Sequence, residues 1–117
     1  MEIGALFADL PRAMPGREQL DLMLRQVEWG QAAGLTSFML AQHWVYGDIT
    51  HLQPVPLAAR LAAELAPKSR VGTAIMVAPV YHPIALAEEA ATLDVITGGR
   101  FVLGVGMAYA PEAASVL

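Results

Sequence analysis

The sequence predicts an α/β fold in which parallel strands alternate with helices. Short apolar runs alternate with longer segments whose apolar residues recur every three or four positions, which is the spacing of one helix face. The apolar runs are continuous, as expected of parallel strands that are covered on both faces of a sheet. Proline and glycine mark most boundaries between the two kinds of segment.

The first part of the chain predicts a strand, a helix and a second strand. Residues 3–8, IGALFA, form the apolar run of the first strand. A helix is expected over residues 17–33, because Gly34 follows where a left-handed residue commonly ends a helix. The second strand is expected over residues 36–40, and a loop follows His43.

The second part predicts two more helices and two more strands. Pro56 is expected to start the second helix and Pro67 to end it. Pro83 opens the third helix, which Gly98 and Gly99 end. The third and fourth strands are expected over residues 71–77 and 101–105.

The element order β-α-β-α-β-α-β fits two architectures, an open doubly wound sheet and a (β/α)8 barrel. Four strands cannot close a barrel, so the second architecture implies about half of a typical barrel of about 250 residues. A length of 117 residues predicts a single domain in either case.

The composition predicts an apolar surface that something else covers. Hydrophobic residues make up 56% of the chain and charged residues 15%, whereas an ordinary domain carries about 25% charged residues. We therefore expect either a piece of a larger fold or an oligomer.

The charge and the residue types also exclude several functions. The net charge is −4 and basic residues are not clustered, which argues against nucleic-acid binding. No cysteine is present, and the three histidines lack metal-ligand spacing, so no metal is expected. The first residues lack the features of a signal peptide, and the apolar stretches contain polar residues, so a cytoplasmic protein without a membrane segment is expected.

Gly104 and Gly106 raise the question of a dinucleotide-binding turn. That fingerprint requires a third glycine three residues on, where Tyr109 stands, and it belongs to the first βαβ unit instead of the fourth strand. The dinucleotide-turn interpretation fails on these grounds, which weakens a nicotinamide-binding open sheet. Two glycines at the end of a strand still allow the backbone to approach a flat ligand closely.

Several segments together resemble one family, the bacterial luciferase-like flavin-dependent oxidoreductases. Residues 82–109, HPIALAEEAATLDVITGGRFVLGVGMAY, resemble its most recognisable segment. Residues 70–79, RVGTAIMVAP, are similar to its third strand, and residues 34–44, GLTSFMLAQHW, to its second. Residues 52–67 resemble its second helix. The resemblance implies a (β/α)8 barrel of which residues 1–117 form the N-terminal half, truncated at the C-terminus.

The resemblance also implies a cofactor and a reaction. The cofactor is reduced flavin, FMN or in some relatives a deazaflavin coenzyme, at the C-terminal mouth of the barrel. It reacts with O2 to oxygenate a small organic substrate or takes part in hydride transfer. The expected partners are the flavin, the substrate, and a second copy or a partner half-barrel. The alternative is a catalytically inactive half-barrel, or an interaction module, that needs a partner half.

The resemblance carries over to individual residues. His43 is the candidate catalytic residue, because an imidazole titrates near neutral pH and serves as a base. Trp44 stands where many relatives have a second histidine. Ala74 and Ile75 match a bulge, often with a non-prolyl cis peptide, that supports the isoalloxazine ring. The remaining cofactor-binding candidates are Phe7, Gly106, Met107 and Tyr109, although Met107 cannot replace the basic residue that some relatives use toward the flavin phosphate.

Other polar residues have structural interpretations. Glu88 and Glu89 suit the first half of a helix that faces solvent. Asp94 is expected to pair with Arg100 near the glycine turn. His82, directly before Pro83, is expected to cap the third helix.

Overall fold

The computed structural model describes residues 1–7, 10–44 and 49–107. Its strands are β1 (Gly4–Phe7), β2 (Leu10–Pro11), β3 (Ser37–Leu40), β4 (Ile49–Thr50), β5 (Arg70–Thr73), β6 (Met76–Val77), β7 (Phe101–Val102) and β8 (Val105–Gly106). Its helices are α1 (Gly16–Ala32), α2 (Pro54–Ala62) and α3 (Pro83–Thr97), with a short 3-10 turn over Ala78–Val80.

The four strands β1, β3, β5 and β7 form one parallel sheet in that order, as the sequence predicts. Each helix connects one of these strands to the next, so that the carboxyl ends of all four strands lie along one edge. Two short pairs extend this edge. β6 pairs with β8 in parallel, and β2 pairs with β4 in an antiparallel ribbon that the sequence did not predict.

The helix boundaries follow local chemistry. Gly34 comes just after α1 with a φ of 90°, and Gly98 ends α3 with a φ of 63°. Both angles lie in the left-handed region that glycine adopts at little cost. The side chain of His82 accepts a hydrogen bond from the backbone N–H of Ile84, which confirms its predicted capping role.

The predicted bounds of the second helix are wrong by several residues. α2 begins at Pro54 instead of Pro56, because proline in the first turn of a helix loses no hydrogen bond. It ends at Ala62, well before Pro67.

The third and fourth predicted strands are each interrupted. The segment 71–77 divides into β5 and β6 around Ala74 and Ile75, and the segment 101–105 divides before β8. Periodicity cannot reveal such a break, because the residues on both sides remain apolar.

The hydrophobic core lies between one face of the sheet and the helices. Phe7 and Phe38 stack with ring centroids 6.2 Å apart, and Val27 of α1, Leu61 of α2 and Leu93 of α3 are buried in the same cluster. Burial of these side chains is what holds the three helices against the sheet.

The other face of the sheet is uncovered within the described residues. A hollow of about 390 Å³ lies on this face. Its lining consists of Glu2, Gly4, Ala5, Leu6, Ser37, Met39 and Ala74. The expectation that both faces are covered is therefore wrong for the described chain, and Leu6 remains 57% exposed. No helix of the described residues has the length and apolar character needed to cross a membrane.

Gly72 allows β5 and β7 to approach closely. A Cβ at this position would lie 2.8 Å from Val102 Cβ and 3.0 Å from Met39 Sδ. We expect Gly72→Ala to lower the free energy of unfolding by about 1–3 kcal/mol through overpacking. Urea denaturation measures this change.

Gly16→Ala is the matched control, because nothing lies within 4 Å of a Cβ at the start of α1. It is expected to change the free energy of unfolding by less than about 1 kcal/mol. Equal losses in the two variants would contradict the close approach at Gly72.

Candidate functional site

The candidate site lies at the edge where the parallel strands end. His43 follows β3 by three residues, Ala74 follows β5 directly, and Gly106 ends β8. In parallel α/β folds this carboxyl edge is where ligands bind. The topology thus brings candidates from three strands to one rim.

The breaks in the strands place Ala74 and Ile75 on this rim. The peptide bond between them is cis, as the resemblance implies. The hydroxyl of the buried Thr73 donates to the carbonyl of Gly104 at 2.8 Å and accepts from the N–H of Gly104 at 3.0 Å. Met76 N–H donates to the same carbonyl at 2.8 Å. One threonine hydroxyl therefore bridges the two strands where their regular ladder stops.

Ile75 lies against the two glycines of the fourth strand. A Cβ at Gly104 would be 3.7 Å from Ile75 Cγ2, and a Cβ at Gly106 would occupy the place of Ile75 Cδ1. Gly104 and Gly106 are therefore explained first by the close approach of Thr73 and Ile75, which leaves little room for a side chain at either position. Ile75 itself is 36% exposed, so one side of it remains available to a ligand.

His43 lies beside a second histidine that sequence reasoning considered only as a metal ligand. The rings of His43 and His51 have centroids 4.7 Å apart and are tilted by 51°. Both residues are partly buried. Eight positions separate them in the sequence, so no local spacing signalled the pair. The described residues hold no cluster of three or more His, Cys, Asp or Glu suited to a metal.

Gln42, the residue before His43, is buried in a hydrogen-bond network. Its side-chain oxygen accepts from the N–H of Val77 at 2.8 Å. Its amide nitrogen donates to Gln53 Oε1 at 3.0 Å and to the hydroxyl of Tyr81 at 2.7 Å. Sequence reasoning did not single out Gln42; the signal that could have found it is an amide at the end of a strand, directly before the histidine.

Trp44 presents an unsatisfied donor close to His43. Its indole Nε1 is buried and has no hydrogen-bond acceptor among the residues that the structure describes. A buried donor without a partner carries a desolvation cost, which an acceptor on a ligand would offset.

The other cofactor-binding candidates differ in their positions. The side chain of Phe7 packs into the core against Phe38 and is only 7% exposed, so it is directed to the helical layer. Met107 is 73% exposed just beyond β8. Tyr109 lies outside the described residues.

The predicted ion pair between Asp94 and Arg100 is wrong. The guanidinium of Arg100 donates instead to three backbone carbonyls, of Thr97 at 2.7 Å, Ser69 at 2.9 Å and Ala66 at 3.1 Å. It therefore ties the end of α3 to the turn before β5, at the edge opposite the site. Glu88 is exposed, in agreement with its structural interpretation, whereas the solvent-facing interpretation is wrong for Glu89, which is partly buried and whose Oε2 has no hydrogen-bond partner among the described residues.

Comparison with known proteins identifies the family to which this parallel α/β chain belongs. The family model for luciferase-like monooxygenases matches residues 1–116. The chain therefore belongs to the luciferase-like monooxygenase family.

Named relatives have related activities but are much longer. A 4-hydroxyprotoasukamycin monooxygenase from Streptomyces nodosus subsp. asukaensis is 36% identical over 89 residues, which are 76% of this chain and 24% of that protein. The oxygenase component of a flavin-dependent trigonelline monooxygenase from Acinetobacter baylyi is 33% identical over 107 residues. The match covers 86% of this chain and 29% of that protein, so the chain spans about a quarter of each relative.

Solved structures show the same fold. The oxygenating constituent of 3,6-diketocamphane monooxygenase from Pseudomonas putida, in complex with FMN, superposes with a TM-score of 0.89 at 24% identity, over 99% of this chain and 32% of that one. A coenzyme F₄₂₀ dependent tetrahydromethanopterin reductase from Methanopyrus kandleri gives a TM-score of 0.71 at 19% identity, over 99% of this chain and 30% of that one. At these identities the likeness shows a fold shared with luciferase-like barrels.

We expect Thr73→Val to destabilise the rim. Valine has the same shape but no hydroxyl, so the N–H of Gly104 loses its partner in a partly buried setting. The free energy of unfolding should fall by about 1–3 kcal/mol. Urea denaturation measures the change. Thr73→Ser keeps the hydroxyl, and a loss in this control as large as that in Thr73→Val would contradict the bridging role.

Proposed function

We propose that this chain forms the flavin-holding part of a luciferase-like, flavin-dependent monooxygenase that acts on a small organic substrate. The observation that carries the proposal is the rim at which Ala74, Ile75 and Gly106 meet, with His43 on the same edge. Membership of the family and the flavin dependence named for a relative support it.

The residues of the rim fit a flat, largely apolar ring system. The hollow on the uncovered face of the sheet extends from Leu6 and Met39 to Ala74, next to the exposed side of Ile75. The indole N–H of Trp44 offers a donor to a ring carbonyl or a substrate oxygen. These residues would hold the ring, and the polar groups would orient it.

Reduced flavin, when bound, supplies the electrons that activate O2 for insertion into a substrate. The chain's own residues contribute position and proton transfer. The imidazole of His43 can hold or accept a proton at the rim.

FMN is the proposed cofactor, with the deazaflavin coenzyme as the alternative. FMN is named for the structure with the TM-score of 0.89, and coenzyme F₄₂₀ for the structure with 0.71. Met107 has no charge to offer a phosphate, and the other rim candidates carry no cationic side chain. We propose that the phosphate is held by residues that lie outside this chain.

We further propose that the four parallel strands are half of a (β/α)8 barrel, whose other half covers the hollow. The uncovered face supports this, because Leu6 is 57% exposed on it. A second copy of the chain is the alternative partner. The outer side of α3 supports association of that kind, because Ile84 and Val95 are 68% and 81% exposed there. An inactive half-barrel that only binds a partner half is the competing proposal.

We expect the chain to bind FMN saturably, as measured by the change in flavin fluorescence on titration. Ile75→Asp should weaken binding by about tenfold or more, because a carboxylate beneath the ring would lose its hydration. Ile3→Asp is the control, because Ile3 is exposed just before β1, at the amino edge of the sheet and away from the rim. A chain that binds no FMN, and that light scattering shows only as a complex with a second copy, would favour the inactive half-barrel.

We expect His43→Ala to lower turnover by about 100-fold or more, because the proton-transferring group is lost. Steady-state oxygen consumption with reduced FMN, and with a substrate that the wild-type protein oxidises, measures this rate. His82→Ala removes an imidazole that caps α3 instead, and its turnover should stay near wild type. Full activity of His43→Ala would remove the catalytic role.

A further inference from the structure

A single buried amide joins four segments at the rim. Gln42 is 3% exposed and lies two residues beyond β3. It contacts Val77 of β6, Gln53 at the start of α2, and Tyr81 just before α3. Both amide hydrogens are used, and the oxygen accepts one further bond.

The bond between Gln42 and Gln53 links the chain just before His43 to the chain just after His51. Gln42 directly precedes His43, and Gln53 follows His51 by two residues, so the bond lies next to the contact between the two histidine rings. Strand β4, which pairs with β2, ends immediately before His51.

Gln53 makes this bond with a side chain that does not cap its own helix. It is the N-cap residue of α2, yet its side chain makes no capping hydrogen bond. Its side-chain oxygen instead accepts from Gln42. Loss of the Gln53 side chain therefore removes the bond to Gln42 and leaves the capping of α2 unchanged.

We propose that Gln42 is a positioning residue that, through Gln53, holds the His51 ring against the His43 ring at the mouth of the site. The consequence for flavin and substrate rests on the proposed function, whereas the placement of the two rings does not. His51 thereby provides the second imidazole at this rim, from a different position than the one that Trp44 occupies. The contact restricts the orientation of His43, which is what a proton-transferring group requires.

A second bridging amide supplies a control within the same chain. Gln31 accepts a hydrogen bond from the N–H of Ala66 at 2.6 Å and donates to the carbonyl of Glu64 at 3.0 Å. It joins α1 to the turn before β5, at the amino edge of the sheet. It therefore resembles Gln42 in chemistry and differs from it in place.

The test compares Gln53→Ala, Gln42→Met, Gln42→Glu and Gln31→Met in the chain. Nuclear Overhauser effects between the ring protons of His43 and His51 report the contact, and FMN titration reports binding. Gln53→Ala and Gln42→Met should lose the ring contact, and FMN affinity should fall by about tenfold or more. Gln31→Met should keep the ring contact and the FMN affinity, even if its unfolding midpoint in urea falls as far as that of Gln42→Met.

Gln42→Glu is the conservative variant. A carboxylate still accepts from Val77 N–H and from the Tyr81 hydroxyl, and the amide of Gln53 can turn over to donate. This variant should retain the ring contact. If Gln42→Met does not fold, Gln53→Ala decides the outcome, because it spares the bonds to Val77 and Tyr81.

A persistent ring contact with unchanged FMN affinity in Gln53→Ala would overturn the proposal. So would equal losses in Gln31→Met, which would make the effect one of general stability. If the wild-type chain binds no FMN while the ring contact follows the expected pattern, the flavin function fails and the positioning role stands.

Discussion

The close approach of the third and fourth parallel strands is the constraint on which the site depends. Gly72 lets β5 lie against Val102, and Gly104 lets the Thr73 backbone and hydroxyl reach the neighbouring strand. A side chain at either glycine would separate the strands. The regular ladder stops at this point, and the chain turns Ala74 and Ile75 toward the mouth. The shape of the site therefore depends first on how closely the backbones of the two strands approach each other, and only then on reactive side chains.

Two networks hold the opposite edges of the sheet in different ways. At the amino edge, Arg100 and Gln31 satisfy the carbonyls and N–H groups of the turn before β5. At the carboxyl edge, Gln42 performs a similar task with one amide, next to the two histidines. The first arrangement supports the fold, whereas the second also shapes the surface where a ligand is proposed to bind. This division agrees with the general placement of function at the carboxyl end of parallel strands.

The hydrophobic core lies on only one side of the sheet, so the other, apolar face of the sheet stays open. The helices bury Phe38, Leu61 and Leu93 on one side of the sheet. Leu6 and Met39 on the other side border a hollow that the described chain leaves uncovered. An apolar face of this kind gains stability when further structure covers it. The relatives in this family are about three to four times as long as the segments that match this chain. They therefore contain further chain, and an apolar composition agrees with a face that further structure covers.

Sequence alone determined the order of the strands and helices, the family, and the ends of α1 and α3. The family followed from the resemblance of several segments. The order of the elements and the ends of the two helices depend on local chemistry: apolar periodicity, the fixed φ of proline and the positive φ of Gly34 and Gly98. The resemblance gave a cis bond between Ala74 and Ile75 as frequent in the family, and the tertiary structure decided that it is present. Local patterns did not reveal the break between β5 and β6, because residues on both sides are apolar.

Only the tertiary structure decided which candidates meet. The side chain of Phe7 packs into the core, and Arg100 donates to backbone carbonyls instead of pairing with Asp94. The tertiary structure also placed His51 beside His43 and gave Gln42 hydrogen bonds that span 11 and 39 positions of the chain. Contacts of such separation depend on how the segments pack together in space, and no spacing within the sequence encodes that packing directly.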